Sequence, residues 1–142
     1  MTEPGRILFG PIGALVVRVL YVKQLYGRNF VVVDAGLNDL LRPAFYGAYH
    51  PIVPLERKTG PTVTADIAGA VCETSDVFAR DHELVMPKRG DYLAILHVGA
   101  YGFTMSSNYN LRPRPAEVTI SEGEFRVVRA AETEDELVAR AL

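Results

Sequence analysis

The only cysteine of the chain, Cys72, is followed directly by an acid, Glu73. A thiol can donate a proton near neutral pH, because an ordinary pKa of about 8.5 leaves it mostly protonated. A lone cysteine is nevertheless more often a small buried hydrophobe, and a lone glutamate is more often solvated. Adjacent side chains of a strand point to opposite faces, so both groups could serve one ligand only where the chain turns. Ser75 and Asp76 favour such a turn.

A second candidate pair is Arg42 and Tyr46, which lie four residues apart. Residues at this spacing share one face of a helix, so the two side chains would lie close together. The simpler interpretation is an amphipathic helix with an arginine extended along its surface. Tyr101 follows Gly99 and Ala100 in a loop, where an aromatic ring either packs beneath the chain or contacts a ligand.

Period-two and β-branched runs predict the elements that would position these residues. The predicted strands are residues 14–23, 29–34, 52–55, 61–69, 92–98, 117–120 and 125–129. The first two form a hairpin with a loop of about four residues, and the apolar character of 29–34 predicts burial on both faces. The pattern predicts a mainly β fold, a Greek-key β-sandwich or barrel with two or three short helices.

Two of those short helices are predicted from capping patterns. One covers residues 39–46, with Asn38 or Asp39 as its cap and Pro43 near its first turn. The other follows Thr133, which has Glu136 three residues later in the arrangement of a capping box.

Composition restricts the classes of partner. The 142 residues suffice for one domain, with 49% hydrophobic residues and a formal charge of −2, so neither nucleic acid nor membrane is expected as a partner. No apolar run approaches the roughly 20 residues of a membrane span, and no signal-peptide pattern is present. A single cysteine and three histidines without zinc-ligand spacing predict a cytoplasmic protein with no metal.

Several motifs together resemble one known family. They are Glu3-Pro4-Gly5-Arg6, residues 38–46, Cys72-Glu73-Thr74-Ser75-Asp76, Gly99-Ala100-Tyr101 and residues 106–115. In this order they resemble the C-terminal domain of pyridoxal-phosphate amino-acid decarboxylases, and most closely those that act on diaminopimelate. The sequence departs from the family pattern at Ile7, where a serine is usual, at Thr74 and Ser75, and at His97, where the family has an acid.

The resemblance implies a role for each candidate residue. Cys72 would protonate the substrate carbon after decarboxylation, and Glu73 would bind the distal ammonium. Arg42 and Tyr46 would hold the distal carboxylate. The implied substrate-binding residues are Arg6, Arg42, Tyr46, Glu73 and Tyr101, and the implied pyridoxal 5'-phosphate-binding residues are Glu3, Pro4, Gly5, Arg6 and Tyr101.

The resemblance also implies that residues 1–142 are a single C-terminal β domain without the N-terminal TIM barrel that carries the cofactor lysine. None of Lys23, Lys58 and Lys88 matches that lysine. We therefore expect the chain alone to bind the cofactor weakly, to be inactive, and to self-associate through an exposed apolar surface. The complete enzyme would be a homodimer that converts meso-diaminopimelate to L-lysine, with Cys72 and Glu73 reaching the cofactor of the opposite subunit.

Two alternative functions stay open. The chain could be a non-catalytic regulatory or binding relative, which His97 would favour. It could also belong to a decarboxylase of ornithine, arginine or a polyamine precursor, although such substrates give no reason for Arg42 beside Glu73.

Overall fold

The computed structural model of the chain describes residues 4–142. The strands are β1 (Ala14–Leu25), β2 (Arg28–Val33), β3 (Ile52–Pro54), β4 (Thr62–Ala68), β5 (Val77–Val85), β6 (Tyr92–Leu96), β7 (Glu117–Ser121) and β8 (Glu124–Arg129). The helices are α1 (Gly5–Phe9), α2 (Arg42–Tyr46) and α3 (Glu134–Ala141), with single 3-10 turns at Gly10–Ile12, Phe103–Met105 and Tyr109–Leu111. In this described part, no helix is long and apolar enough to cross a bilayer.

Six strands form one sheet in the order β3-β6-β1-β2-β4-β5. All neighbours are antiparallel except β2 and β4, which run parallel. The ring Nε2 of His82 on edge strand β5 donates to the carbonyl of Ile52 on the other edge strand, at 3.0 Å. The sheet therefore curls until its edges approach, which confirms the predicted mainly β, barrel-like fold.

The inner face of this sheet forms the hydrophobic core. Its fully buried side chains include Val17, Val19, Val31, Val33, Ile67, Leu93 and Ile95. Burying each of these side chains away from water stabilises the folded state by about 1.5–3 kcal/mol. On β2, Val31 and Val33 are buried whereas Phe30 and Val32 are only half-buried, so the second face of this strand is less covered than its apolar sequence predicted.

The strands β7 and β8 form a separate two-stranded hairpin. Val118 pairs with Val127 and Ile120 pairs with Phe125, which places all four on one face because cross-strand partners share a face. All four side chains are exposed.

The first hairpin is tighter than predicted. Tyr26 and Gly27 alone connect β1 to β2, with φ of 49° and 77°. Positive φ at both central residues is the conformation of a type I′ turn, whose twist matches that of the flanking strands. The predicted loop length of about four residues was wrong, because Tyr26 adopts a left-handed conformation that is disfavoured for its residue type.

Strand β5 was not predicted from the sequence. Its central residues are Arg80, Asp81, His82 and Glu83, which have low strand propensity. As an edge strand β5 presents polar groups to solvent, and charged side chains there oppose unwanted strand pairing.

The predicted helix at residues 39–46 is confirmed only in its last five residues, because α2 begins at Arg42 and has no side-chain cap. Asp39 instead accepts the backbone N–H of Gly36 at 2.9 Å, which stabilises the preceding turn. Pro43 does lie in the first turn of the helix, and Thr133 and Glu136 form the predicted capping box of α3.

The start of the described chain is helical, although Pro4 and Gly5 are residue types typical of turns. The chain enters helix α1 at Gly5, directly after Pro4. Ile7, Phe9 and Ile12 are more than half exposed on this helix and the turn that follows it. This segment therefore presents an apolar surface.

Candidate functional site

A buried carboxylate organises the turn that carries Cys72. Asp76 is buried, and its two oxygens accept the backbone N–H groups of Leu37 and Val71, each at 2.7 Å. A Cβ at Gly69 would lie 2.2 Å from Asp76 Oδ2, so only glycine allows the chain to pass this close. Burial raises the pKa of Asp76, and the two N–H donors oppose that rise.

This turn exposes the candidate proton donor and its neighbour. The N–H of Glu73 donates to the carbonyl of Val71 at 2.8 Å, and the N–H of Asp76 donates to the carbonyl of Glu73 at 3.1 Å. Cys72 and Glu73 are both exposed. The turned backbone thus removes the alternation that would send the two side chains to opposite faces of a strand.

Two further loops join this turn at the same end of the sheet. The N–H of Ala70 donates to the carbonyl of Ala35 at 3.0 Å, and the N–H of Ser107 donates to the carbonyl of Asn38 at 2.8 Å. The segment before α2 is therefore bonded on one side to the Cys72 turn and on the other to the loop after β6.

Arg42 lies between two aromatic rings. Its guanidinium carbon is 5.9 Å from the ring centre of Tyr46 and 5.7 Å from that of Tyr101. Such cation–π contacts stabilise a guanidinium and fix its orientation. The Nε of Arg42 is buried and has no hydrogen-bond partner within residues 4–142.

Arg6 joins Arg42 in the wall of a cavity of ≈ 370 Å³. The N–H of Gly99 donates to the carbonyl of Gly10 at 3.2 Å, which fixes the end of α1 against the loop after β6. A Cβ at Gly13 would lie 2.4 Å from the Cα of Gly99, so this approach needs glycine. The lining residues described include two arginines and no carboxylate, a combination suited to an anion.

His50 also lines this cavity, and sequence reasoning did not select it. It is 3% exposed, and its Nδ1 is 2.9 Å from the carbonyl oxygen of Leu96. Burial lowers the pKa of His50, and the charge of Arg42 contributes in the same direction. A histidine between Tyr49 and Pro51 gave no signal, because its importance depends on packing against a distant strand.

The candidate residues divide into two sets. Arg6 and Arg42 line the cavity, and Tyr46 and Tyr101 contact Arg42. Cys72 and Glu73 do not line it and are exposed on the neighbouring turn. Pro4 and Gly5 are exposed at the start of α1, and the predicted contact of Glu3 lies outside the described residues. His97, which replaces the family acid, lines the cavity in a left-handed conformation with φ of 63°.

Comparison with known proteins identifies the family of this chain. Residues 11–99 match the family described as pyridoxal-dependent decarboxylase, C-terminal sheet domain. The chain belongs to this family. The diaminopimelate decarboxylase of Aquifex aeolicus is 48% identical over 99% of this chain and 33% of its own length, and that of Methanothermobacter thermautotrophicus is 52% identical over 96% and 32%.

A solved structure agrees with this family assignment. This decarboxylase sheet domain superposes on diaminopimelate decarboxylase from Helicobacter pylori, complexed with L-lysine, with a TM-score of 0.89 and 39% identity, covering 96% of this chain and 33% of that one. The chain thus spans about a third of the length of the relatives it matches.

The lowered pKa of His50 predicts an acid-sensitive contribution to the stability of the sheet domain. Below pH 6.5 the unfolded chain binds a proton at this histidine that the folded chain resists, so the free energy of unfolding should fall as pH decreases from 6.5 toward the lower folded-state pKa. Above pH 6.5 this group should have no effect. Urea unfolding at a series of pH values measures this contribution.

The matched variant is His50→Asn, whose amide can still donate to Leu96 but cannot become charged. Its free energy of unfolding should decline less between pH 6.5 and pH 4.5 than that of the parent. Because Asp39 and Asp76 have raised pKa values that act in the opposite direction, the difference between the two proteins is the informative quantity. Parallel curves for the two proteins would contradict this role of His50.

Proposed function

We propose that this chain is the C-terminal β domain of a diaminopimelate decarboxylase, and that the pyridoxal phosphate-bearing barrel belongs to another part of the protein or to a separate chain. The observation that carries this proposal is the placement of Arg42 between Tyr46 and Tyr101 in a cavity that Arg6 also lines. A substrate with an amino-acid group at each end needs a fixed cation for its distal carboxylate. A substrate that ends in a simple amine does not.

The described residues fit an anionic cofactor at this end of the sheet. Guanidinium groups bind phosphate and carboxylate in a planar, bidentate manner, and Arg6 is placed to bind either group. Pyridoxal phosphate, when bound, supplies an electron sink for the pair of electrons that remains when carbon dioxide leaves. By family resemblance Glu3 would pair with its pyridine nitrogen, Pro4 and Gly5 would shape that contact, and Tyr101 would lie beside it.

Each remaining candidate then has a defined task in the reaction. Arg42 and Tyr46 bind the distal carboxylate, and Glu73 binds the distal ammonium. Cys72 donates a proton from Sγ to the substrate carbon that has lost its carboxyl group. The product of that protonation is L-lysine.

The separation of Cys72 and Glu73 from the cavity supports a dimer as the active form. Both side chains project from an exposed turn outside the cavity wall, where they are available to a ligand held by a second subunit. The apolar surface at Ile7, Phe9 and Ile12 is available to the barrel. We place the assembled enzyme in the cytoplasm.

The proposal is tested with a chimera that joins this chain to the N-terminal two-thirds of the Aquifex aeolicus relative. We expect the chimera to bind pyridoxal phosphate and to release lysine from meso-diaminopimelate, and we expect the isolated chain to bind the cofactor only weakly and to release no lysine. Chromatography of the products measures lysine and carbon dioxide release. A folded chimera that binds the cofactor and leaves diaminopimelate unchanged would instead support a non-catalytic relative.

Arg42→Lys in the same chimera tests the substrate. A lysine keeps the positive charge but loses the bidentate geometry and the stacking between two rings, so kcat/KM for diaminopimelate should fall about tenfold to a hundredfold. The matched control is Arg89→Lys, because Arg89 contacts the ring of Tyr21 and does not line the cavity. An unchanged preference for diaminopimelate over ornithine in Arg42→Lys would contradict the assignment of the distal site.

A further inference from the structure

Glu132 lies between strand β8 and helix α3, and its carboxylate accepts hydrogen bonds from two separate segments of the chain. Its Oε2 accepts the backbone N–H of Arg114 at 3.0 Å and the side-chain amide of Asn108. Its Oε1 accepts from Arg140 of α3 at 3.4 Å. The N–H of Glu132 also donates to the carbonyl of Arg114 at 3.1 Å, so these two residues pair reciprocally. The hydrogen bonds from Arg114 and Asn108 lower the pKa of Glu132, so the acceptor is ionised at neutral pH.

The donors Asn108 and Arg114 belong to the loop between β6 and β7, residues 97–116. All of these residues are described, and the only regular structure among them is two 3-10 turns. A loop of this length can adopt several conformations unless other segments bind it. On the side away from Glu132, the N–H of Ser107 donates at 2.8 Å to the carbonyl of Asn38, in the segment before α2. Glu132 therefore connects the C-terminal segment to a loop that is itself bonded to the segment leading into the site.

The same loop carries Tyr101, whose ring centre lies 5.7 Å from the guanidinium carbon of Arg42. Tyr101 has a φ of 67°, a left-handed conformation that a tyrosine keeps only where its surroundings enforce it. Its carbonyl accepts the N–H of Met105 at 3.3 Å, across the 3-10 turn that Phe103 begins. The guanidinium of Arg114 packs on Phe103, 5.6 Å from the ring centre. The conformation of Tyr101 thus depends on contacts that reach Arg114.

We propose, building on the proposed function, that Glu132 is a positioning residue, which fixes the loop carrying Tyr101 and thereby the ring that orients Arg42. It acts through Asn108 and Arg114, and it does not line the cavity itself. Loss of its carboxylate is expected to weaken substrate binding at the site and to leave the chemical step unchanged.

The first test measures two NMR signals in the 142-residue chain. Arg42 lies between two aromatic rings, so ring currents make its δ-methylene resonances, observed with ¹³C-labelled arginine, sensitive to the position of Tyr101. We expect Glu132→Ala to shift these resonances and to accelerate hydrogen exchange at the N–H of Ser107 about tenfold. The matched control is Glu134→Ala, because Glu134 is exposed at the start of α3, and it should change neither signal.

The second test uses the chimera. Glu132→Ala should raise KM for meso-diaminopimelate about tenfold and keep kcat within about threefold, because the lost binding is common to the ground and transition states. Glu132→Gln keeps an oxygen that can accept from Asn108 and Arg114, so it should recover part of the affinity. Asn108→Ala should raise KM in the same direction. Combining it with Glu132→Ala should give less than the sum of the two single effects, because the residues act through one contact.

Three results would overturn the inference: Arg42 and Ser107 signals that stay unchanged in a folded Glu132→Ala, a rise in KM that Glu134→Ala shares, or a fall in kcat at constant KM. The outcome is separable from that of the proposed function, because the NMR signals are measured on the chain without its barrel. Lysine release by the chimera with unresponsive NMR signals would reject this inference alone. Responsive signals in a chain whose chimera cannot decarboxylate diaminopimelate would reject the proposed reaction alone.

Discussion

Replacing Cys72 with serine is expected to lower kcat of the chimera about a hundredfold or more, because positioned proton donors contribute roughly 10²–10⁴ in rate. A serine hydroxyl occupies nearly the same space but is a much weaker acid. Since Cys72 is exposed, the free energy of unfolding should change by less than about 0.5 kcal/mol. Lysine release and urea unfolding, measured on the same preparations, separate the two effects.

The neighbouring Ser75→Ala is the control for Cys72→Ser, because Ser75 is exposed on the same turn and has no assigned chemistry. It should retain most of the activity. A Cys72→Ser chimera with kcat within threefold of the parent would show that the proton comes from another group.

The second large effect is expected for Asp76→Ala, which should lower the free energy of unfolding by about 2–4 kcal/mol. The substitution leaves the N–H groups of Leu37 and Val71 without their acceptor in a buried region. The raised pKa of Asp76 shows that burying the carboxylate itself has a cost, so the loss should be smaller than the sum of two charge-assisted bonds. Urea unfolding of the isolated chain measures it.

Two further variants make the test specific. Asp76→Asn keeps one carbonyl oxygen and should lose less stability than alanine, although its NH₂ faces a backbone donor. Asp81→Asn removes an exposed carboxylate that contacts Arg28 and should cost less than about 1 kcal/mol. If the urea unfolding midpoint of Asp76→Ala equals that of the parent, the turn is stabilised by its backbone hydrogen bonds alone.

Patterns of adjacent residues predicted the elements that are stabilised mainly by contacts between neighbouring residues. The run at β1 is rich in β-branched valine, Thr133 and Glu136 form a complete capping box, and Glu122 with Gly123 marks the β7–β8 turn, so each was predictable from adjacent residues. The mainly β fold followed from them. Strand β5 was missed because an edge strand can be polar, and α1 was missed because Pro4 and Gly5 are typical of turns.

The candidate site was only partly predictable for a different reason. Residue type and family resemblance selected Arg42, Cys72 and Tyr101. The supporting groups could not be selected in this way. Asp76 contacts Leu37, and His50 contacts Leu96, so their roles depend on chain segments that are distant in sequence. No window of neighbouring residues contains that information.

The strand order also has a consequence for how this chain acquires its structure. On one side β1 pairs with β6, from Ala14 with Leu96 to Arg18 with Tyr92, and most of the chain lies between these partners. Such non-local pairing slows folding to roughly milliseconds to seconds, because a long loop must close before the contacts compensate. Of the six strands of this sheet, β1 and β2 are synthesised first, and the edge of β1 that pairs with β6 stays without its partner until β6 has left the ribosome.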